Sequence, residues 1–178
     1  VNRKGAKTNH VIITTGPFGY TGAGFAILLK NKKCSKKFEA KAKSAVFKPK
    51  CRLMFGLKNK NYFSSSMDSS DGLSTTLNEM SSQSKKKFVI TTMPSENDVF
   101  YFADSNKLNP NELILNSGEE YEIVATTSTS NLPSIKKYAK KHRIKLYEIG
   151  YVTKGRGVFY KRNGKLVRIR DKGWQHLV

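Results

Sequence analysis

The residues best suited to chemistry stand in one short run, Phe63-Ser-Ser-Ser-Met-Asp-Ser-Ser-Asp-Gly-Leu73, with two carboxylates three residues apart among hydroxyls. Leu73, Leu77 and Met80 follow at helical spacing, so the run closes an extended segment and opens a helix. At a helix entrance the unsatisfied backbone N–H groups and the helix dipole favour negative charge. Asp68 and Asp71 therefore have two readings. They form an N-cap (Asp71) with a second acid nearby, or they are hard oxygen ligands of the kind Mg²⁺ takes beside phosphates. Spacing alone names no function.

Three further constellations deserve the same double reading. Gly118-Glu-Glu-Tyr-Glu122 sets three acids and a tyrosine at a turn into a strand. Alternation sends Tyr121 to one face and Glu120 and Glu122 to the other, and Glu119, directly after the glycine, is the acid aimed toward a cleft. Solvated strand-edge acids are the plainer alternative. Gly16-x-x-Gly19-x-x-Gly22-x-Gly24 lies between a strand and a helix, as a phosphate cradle or as a tight turn with close helix–sheet packing. It has neither the Gly-Lys-Ser/Thr of a P-loop nor the dinucleotide spacing. Gly173-Trp174-Gln175-His176 carries the only tryptophan, either a core plug or a flat face for stacking a heterocycle. His10, His142 and His176 pair with no nucleophile and show no metal-ligand spacing, so hydrolase and zinc readings lack support.

The elements that must position these residues follow from local pattern. Strands are expected at His10–Thr15, Phe63–Met67, Phe88–Thr92, Tyr121–Thr126 and Leu146–Ile149, with a closing pair, Val158–Lys161 and Lys165–Ile169, around the Asn163-Gly164 turn. Helices are expected at Tyr20–Leu29, Ser35–Phe47, Gly72–Ser81, around Val99–Ala103 and at Leu132–His142, and Asn59–Tyr62 and Asn106–Asn111 are expected to be loop and turn. Alternating strands and helices with a final antiparallel pair imply a mixed β-sheet flanked by helices, of α+β or α/β class. No repeat or linker divides the 178 residues, so one domain is expected.

Composition bounds the partners. The net charge is +20, from 33 Lys and Arg against 13 Asp and Glu, which attracts polyanions or phosphorylated small molecules. Lys136, Lys137, Lys140 and Lys141 surround Ile135, Tyr138 and Ala139, the pattern of the solvated side of an amphipathic helix. No apolar run approaches the roughly 20 residues of a membrane span. Cys34 and Cys51 lack metal-site spacing, and a reduced, cytoplasmic protein is the simplest expectation.

In order and spacing these motifs resemble the C-terminal half of the thiamine-monophosphate kinase family, within the aminoimidazole-ribonucleotide-synthetase superfamily. The resemblance is carried by Arg3-Lys-Gly-Ala-Lys7, Thr15-Gly-Pro-Phe-Gly19, Ala23–Leu28, Pro49–Arg52, Ser66–Leu73, Gly118–Glu122 and Gly173–His176. It implies transfer of the ATP γ-phosphoryl to thiamine monophosphate with Mg²⁺, in a homodimeric enzyme. It further implies Asp68 and Asp71 as Mg²⁺ ligands, Arg3 and Ser70 as ATP contacts, Glu119 as a substrate contact and Trp174 against the thiamine rings. Residues 1–178 are then a single C-terminal domain, and the N-terminal ATP- and Mg²⁺-binding half is absent from the chain, which is not expected to be fully active alone. One departure is Ser117, where the family often has glycine. Among rivals, the hydrogenase-maturation enzymes end in a reactive cysteine, whereas this chain ends His176-Leu-Val178. Aminoimidazole-ribonucleotide synthetase fits the acidic motif and the terminal tryptophan less well. A basic nucleic-acid-binding module lacks its signature motifs.

Overall fold

In the computed structural model, which describes residues 1–173, the chain builds one seven-stranded sheet. The strands are β1 (Val11–Thr15), β2 (Phe63–Asp68), β3 (Lys87–Ile90), β4 (Ile123–Thr127), β5 (Leu146–Thr153), β6 (Gly157–Arg162) and β7 (Lys165–Arg168). The helices are α1 (Tyr20–Lys30), α2 (Lys36–Phe47), α3 (Leu53–Asn59), α4 (Leu73–Ser84), α5 (Asn97–Ser105), α6 (Pro110–Leu115) and α7 (Leu132–Lys141), and a 3₁₀ turn spans Lys60–Tyr62. Strand order is β2-β4-β1-β5-β3-β6-β7. Only β3 and β6 run parallel; the other pairings are antiparallel, which makes the sheet mixed, as its sequence pattern implied.

The β-branched run Val-Ile-Ile-Thr-Thr makes β1 a central strand, and its alternation divides the interior. Ile12 joins a large core with side chains from α1, α2, α4, α5 and α6; Ile13 joins a smaller one with Phe55 of α3 and Leu132, Ile135 and Ala139 of α7. Helices therefore cover both faces, and each fully buried Ile, Leu or Phe contributes ~1.5–3 kcal/mol through lost apolar exposure. The lysines of α7 point to solvent opposite Ile135 and Ala139, which accounts for that basic cluster as a solvated helix face. No helix of the described residues is long and apolar enough to cross a membrane.

Four local expectations change. Helix α3 was not anticipated, because only Phe55 and Asn59 of its seven residues are buried and no amphipathic stripe advertises it. The expected turn at Asn106–Asn111 contains the start of α6: Asn109 is its N-cap, its side chain accepting from the Asn111 N–H at 3.0 Å, and Pro110 supplies the preset first turn. Strand β5 runs through Gly150 to Thr153, since glycine there admits the Val89 carbonyl where a Cβ would collide. Strand β4 begins at Ile123 rather than Tyr121, because Glu119 (φ 67°) and Tyr121 (φ 52°) hold left-handed backbone. The Asn163-Gly164 hairpin forms as expected, with φ of 48° and 76°.

Candidate functional site

The site is built where β2 runs out. Beyond Asp68 the chain stays fastened to the segment leading into β4: the Ser69 N–H donates to the Glu122 carbonyl (2.9 Å), the Tyr121 N–H to the Ser69 carbonyl (3.0 Å) and the Glu119 N–H to the Ser70 carbonyl (2.7 Å). Gly118 packs against that same Ser70 carbonyl, where a Cβ would come within 2.6 Å. These bonds bring Glu119, distant in sequence, to the same end of the β2–β4 pair as Asp68, Ser70 and Asp71. Arg3 lies on a segment docked along the β2 edge, where the Asn2 carbonyl accepts from the Ser66 N–H at 3.0 Å, and its side chain is exposed. Trp174 lies outside the described residues.

The N-cap of α4 is Gly72, not Asp71, and no side chain caps the helix. Gly72 takes φ 106°, so the cap falls one residue later than the acid. Asp71 is thereby relieved of capping. Among the described residues neither Asp68 nor Asp71 forms an ion pair. Glu119 is exposed, and the Tyr121 hydroxyl donates to its carboxylate at 2.7 Å. That bond to Glu119, with lesser help from burial, raises the Tyr121 phenol. Tyr121, Asp68, Cys51 and Arg52 line a cleft of about 470 Å³ that α3 closes on one side. Glu119 stands beside this cleft and reaches it through Tyr121. Ser69, fully buried between the candidate residues, has a hydroxyl with no hydrogen-bond partner among the described residues.

The other two acids of the motif are buried, against the plainer reading of a solvated edge. The Glu120 carboxylate accepts from the Gly19 N–H (2.7 Å), the Thr21 N–H (3.4 Å) and the Thr21 hydroxyl (2.8 Å), supplying the anion that the α1 N-terminus favours. Burial pushes this carboxyl up to about 7, against the pull of those donors. Glu122 takes a two-pronged bond from Arg52, Nε to Oε2 and Nη2 to Oε1, both at 2.7 Å, and a third from the Thr15 hydroxyl at 2.7 Å. The bond to Glu122 holds the Arg52 guanidinium more firmly charged despite its burial. Burial raises the Glu122 carboxyl, while Arg52 and Thr15 draw it back.

These contacts decide the glycine-rich loop. Its N–H groups are spoken for: Gly16 donates to the Lys145 carbonyl, Phe18 to the Pro94 carbonyl, and Gly19 and Thr21 to Glu120. The Glu122 carboxylate lies against Gly16 (φ 80°), in the space a Cβ would need. The loop is a packed turn, and an internal carboxylate occupies the place a phosphate would take. Ser117 packs its hydroxyl onto Gly22, so the loop tolerates serine at that position. Glu120, Glu122, Arg52 and Tyr121 carried no assigned role in the sequence. The available signal was the alternation of Glu120 and Glu122, which gave the shared face but not its burial.

Residues 7–162 match the family model described as AIR synthase related protein, C-terminal domain. The chain belongs to that family. This AIR synthase related domain is 54% identical over 176 residues to the thiamine-monophosphate kinase of Nitrosopumilus maritimus (strain SCM1), a match covering 99% of the chain and 56% of that protein. Among solved structures it is similar to AaThiL complexed with AMPPCP and TMP, at TM-score 0.81 and 28% identity over 99% of the chain and 54% of that one. A hydrogenase maturation protein, HypE, shares the fold alone, at TM-score 0.68 and 16% identity. The AIR synthase related domain thus spans about half the length of the relatives it matches.

Proposed function

We propose that residues 1–178 act as the C-terminal domain of an ATP-dependent thiamine-monophosphate kinase, transferring the γ-phosphoryl of ATP to thiamine monophosphate. The observation that carries this reading is the convergence of Asp68, Ser70, Asp71 and Glu119 at the end of β2 and β4, in a chain 54% identical to a protein of that name. Phosphoryl transfer demands positioning and charge neutralisation far more than a covalent residue, and this cluster contains carboxylates and hydroxyls but no activated nucleophile.

Mg²⁺ fits the donor set in part. Asp68 and Asp71 supply hard oxygens outside any ion pair among the described residues, and no group of three or more ligating side chains occurs there. Mg²⁺ is held by one or two carboxylates together with substrate phosphates and water, so two aspartates suit a shared rather than a complete site. When bound, the ion would neutralise charge on the phosphates. For the chain's own part, Arg3 and Ser70 hold ATP, Glu119 orients thiamine monophosphate, and Tyr121 fixes the Glu119 carboxylate. Trp174 stacks on the thiamine rings in this reading. The remaining ligands come from an N-terminal half, the whole enzyme is a cytoplasmic homodimer, and its basic surface attracts two anionic substrates.

The test joins this chain to the other half of its 54%-identical relative and measures Mg²⁺-dependent AMPPCP binding and thiamine diphosphate formation. Both are expected, and both are expected to fall at least 100-fold in Asp71→Asn. Tight, salt-sensitive DNA binding with no nucleotide or thiamine-monophosphate signal would overturn the kinase reading in favour of a nucleic-acid module.

A further inference from the structure

Aromatic and cationic side chains share one sheet face that lies outside both cores. On the Ile13 side, the smaller core of α3 and α7 reaches as far as Val11 and Leu146, and no residue of β3, β6 or β7 belongs to it. Phe88, Ile90 and Val158 point the other way, into the large core with Leu77 and Met80 of α4. Alternation then fixes what the opposite face of these strands carries. Register sets Tyr151 of β5, Val89 of β3, Phe159 of β6 and Arg168 of β7 in one cross-strand row. Thr153, Lys87 and Gly157 form the row on one side of it, and Lys161 with Leu166 the row on the other. Tyr151 is 41% exposed, Phe159 is half-buried, and Lys161 and Arg168 are exposed. The Phe159 ring leans over Gly157, 3.3 Å from where a Cβ would stand.

Charge and ring placement together say what this face takes. Strands β3, β6 and β7 contain no carboxylate, and Glu148, the one acid of β5, is paired with Lys136. Among the described residues Lys87, Lys161 and Arg168 join no ion pair. The Lys87 ammonium stands 5.6 Å from the centroid of the Phe159 ring, so a cation accompanies the aromatic. A second copy of so cationic a face would be repelled, and an apolar partner would bury three cations unpaired. Single-stranded nucleic acid matches both features: bases stack on aromatic side chains of a sheet face, and phosphates pair with the cations around them. We propose that the Tyr151–Phe159 row is a binding surface for single-stranded nucleic acid, with bases against the two rings and phosphates on Lys87, Lys161 and Arg168. The row is assembled from four strands, so no linear motif announces it. In the sheet order β1 separates it from the β2–β4 site, and it does not depend on the kinase reading.

Fluorescence anisotropy of the 178-residue chain with a labelled oligouridylate of about 12 nucleotides tests the surface. Binding is expected, weakening about 20-fold between ~50 and ~200 mM salt, the dependence of three phosphate contacts on a single strand. Tyr151→Ala is expected to weaken it about 10-fold, while Tyr151→Phe, which keeps a ring, stays within about twofold of the parent. Lys161→Gln combined with Arg168→Gln, at two exposed positions outside both cores, should reduce the salt effect to about threefold. No binding, or equal affinity of Tyr151→Ala and the parent, overturns the proposal. So does equal affinity for polyglutamate, which assigns the face to an acidic protein, or for a duplex of the same length, which leaves charge alone. Loss of binding when the chain is joined to the other half of its 54%-identical relative shows the face to be covered and also overturns it. Displacement of the oligonucleotide by Mg²⁺ and AMPPCP, with Tyr151→Ala without effect, moves it to the candidate phosphoryl-transfer site and removes the sheet surface.

Discussion

Two sets of carboxylates share the hydrogen-bonded junction of residues 68–71 with residues 118–122 and live in opposite conditions. Glu120 and Glu122 are buried and fully engaged, one by the α1 N-terminus and the other by Arg52 and Thr15. Asp68, Asp71 and Glu119 stand at the surface side of the same hydrogen-bonded segment, with Tyr121 the one side-chain donor to any of them among the described residues. The buried pair holds the Gly16–Gly19 turn and α3 to the start of β4, and so fixes where the outer acids stand. Acids that are saturated with partners serve the scaffold; acids left open are available to ligands.

That division is easiest to break through Arg52. Arg52→Ala leaves a buried carboxylate without its cation, and the expected loss is ~3–5 kcal/mol, read as a lower urea midpoint. A loss under about 1 kcal/mol would show that Glu122 is not part of the scaffold.

Glu120 comes next, through pH. Its carboxyl is raised to about 7 in the fold, above its ordinary 4.5. The folded state therefore binds a proton that the unfolded state has released, and the associated stability declines as pH rises through that interval. Glu120→Gln keeps an acceptor for Gly19 and Thr21 without the titration. Measured by urea denaturation from pH 5 to pH 8, the variant should gain ~2–3 kcal/mol relative to the parent. A constant difference between the two would remove Glu120 from the buried set.

The outer acids should respond in the opposite sense. Tyr121→Phe removes one surface hydrogen bond, and its expected stability cost is under ~1 kcal/mol. In the joined enzyme it should weaken thiamine-monophosphate affinity by 3–10-fold with AMPPCP affinity unchanged; equal loss of both would make Tyr121 a general packing residue. Asp71→Asn has the smallest expected effect on folding, within ~0.5 kcal/mol, because the residue does not cap α4 and joins no ion pair among the described residues. A destabilisation above ~1 kcal/mol would return Asp71 to a structural role.

Much of the architecture was legible because local pattern carried it. The Val-Ile-Ile-Thr-Thr run, the Ser35 cap whose side chain accepts from the Phe38 N–H at 3.3 Å, and the Asn163-Gly164 turn each specify their element within a few residues. What stayed hidden depended on neighbours distant in sequence. Gly150 reads as a strand end until Val89 is seen to press on it, and α3 shows no stripe because it buries so little of itself. In the motif Gly118–Glu122 the alternation of acids was visible, yet which acids were consumed was not.

By itself the sequence determined a mixed sheet flanked by helices, a strongly cationic surface and a set of acids of the right type at two turns, since period, turn chemistry and charge are local properties. The tertiary structure alone decided that Glu120 and Glu122 belong to the framework while Asp68, Asp71 and Glu119 stand at its surface side. The reason is that burial and partnership arise only when β2, β4, the glycine turn and Arg52 are brought together. A carboxylate's role follows from the donors around it, and those donors lie up to 107 residues away.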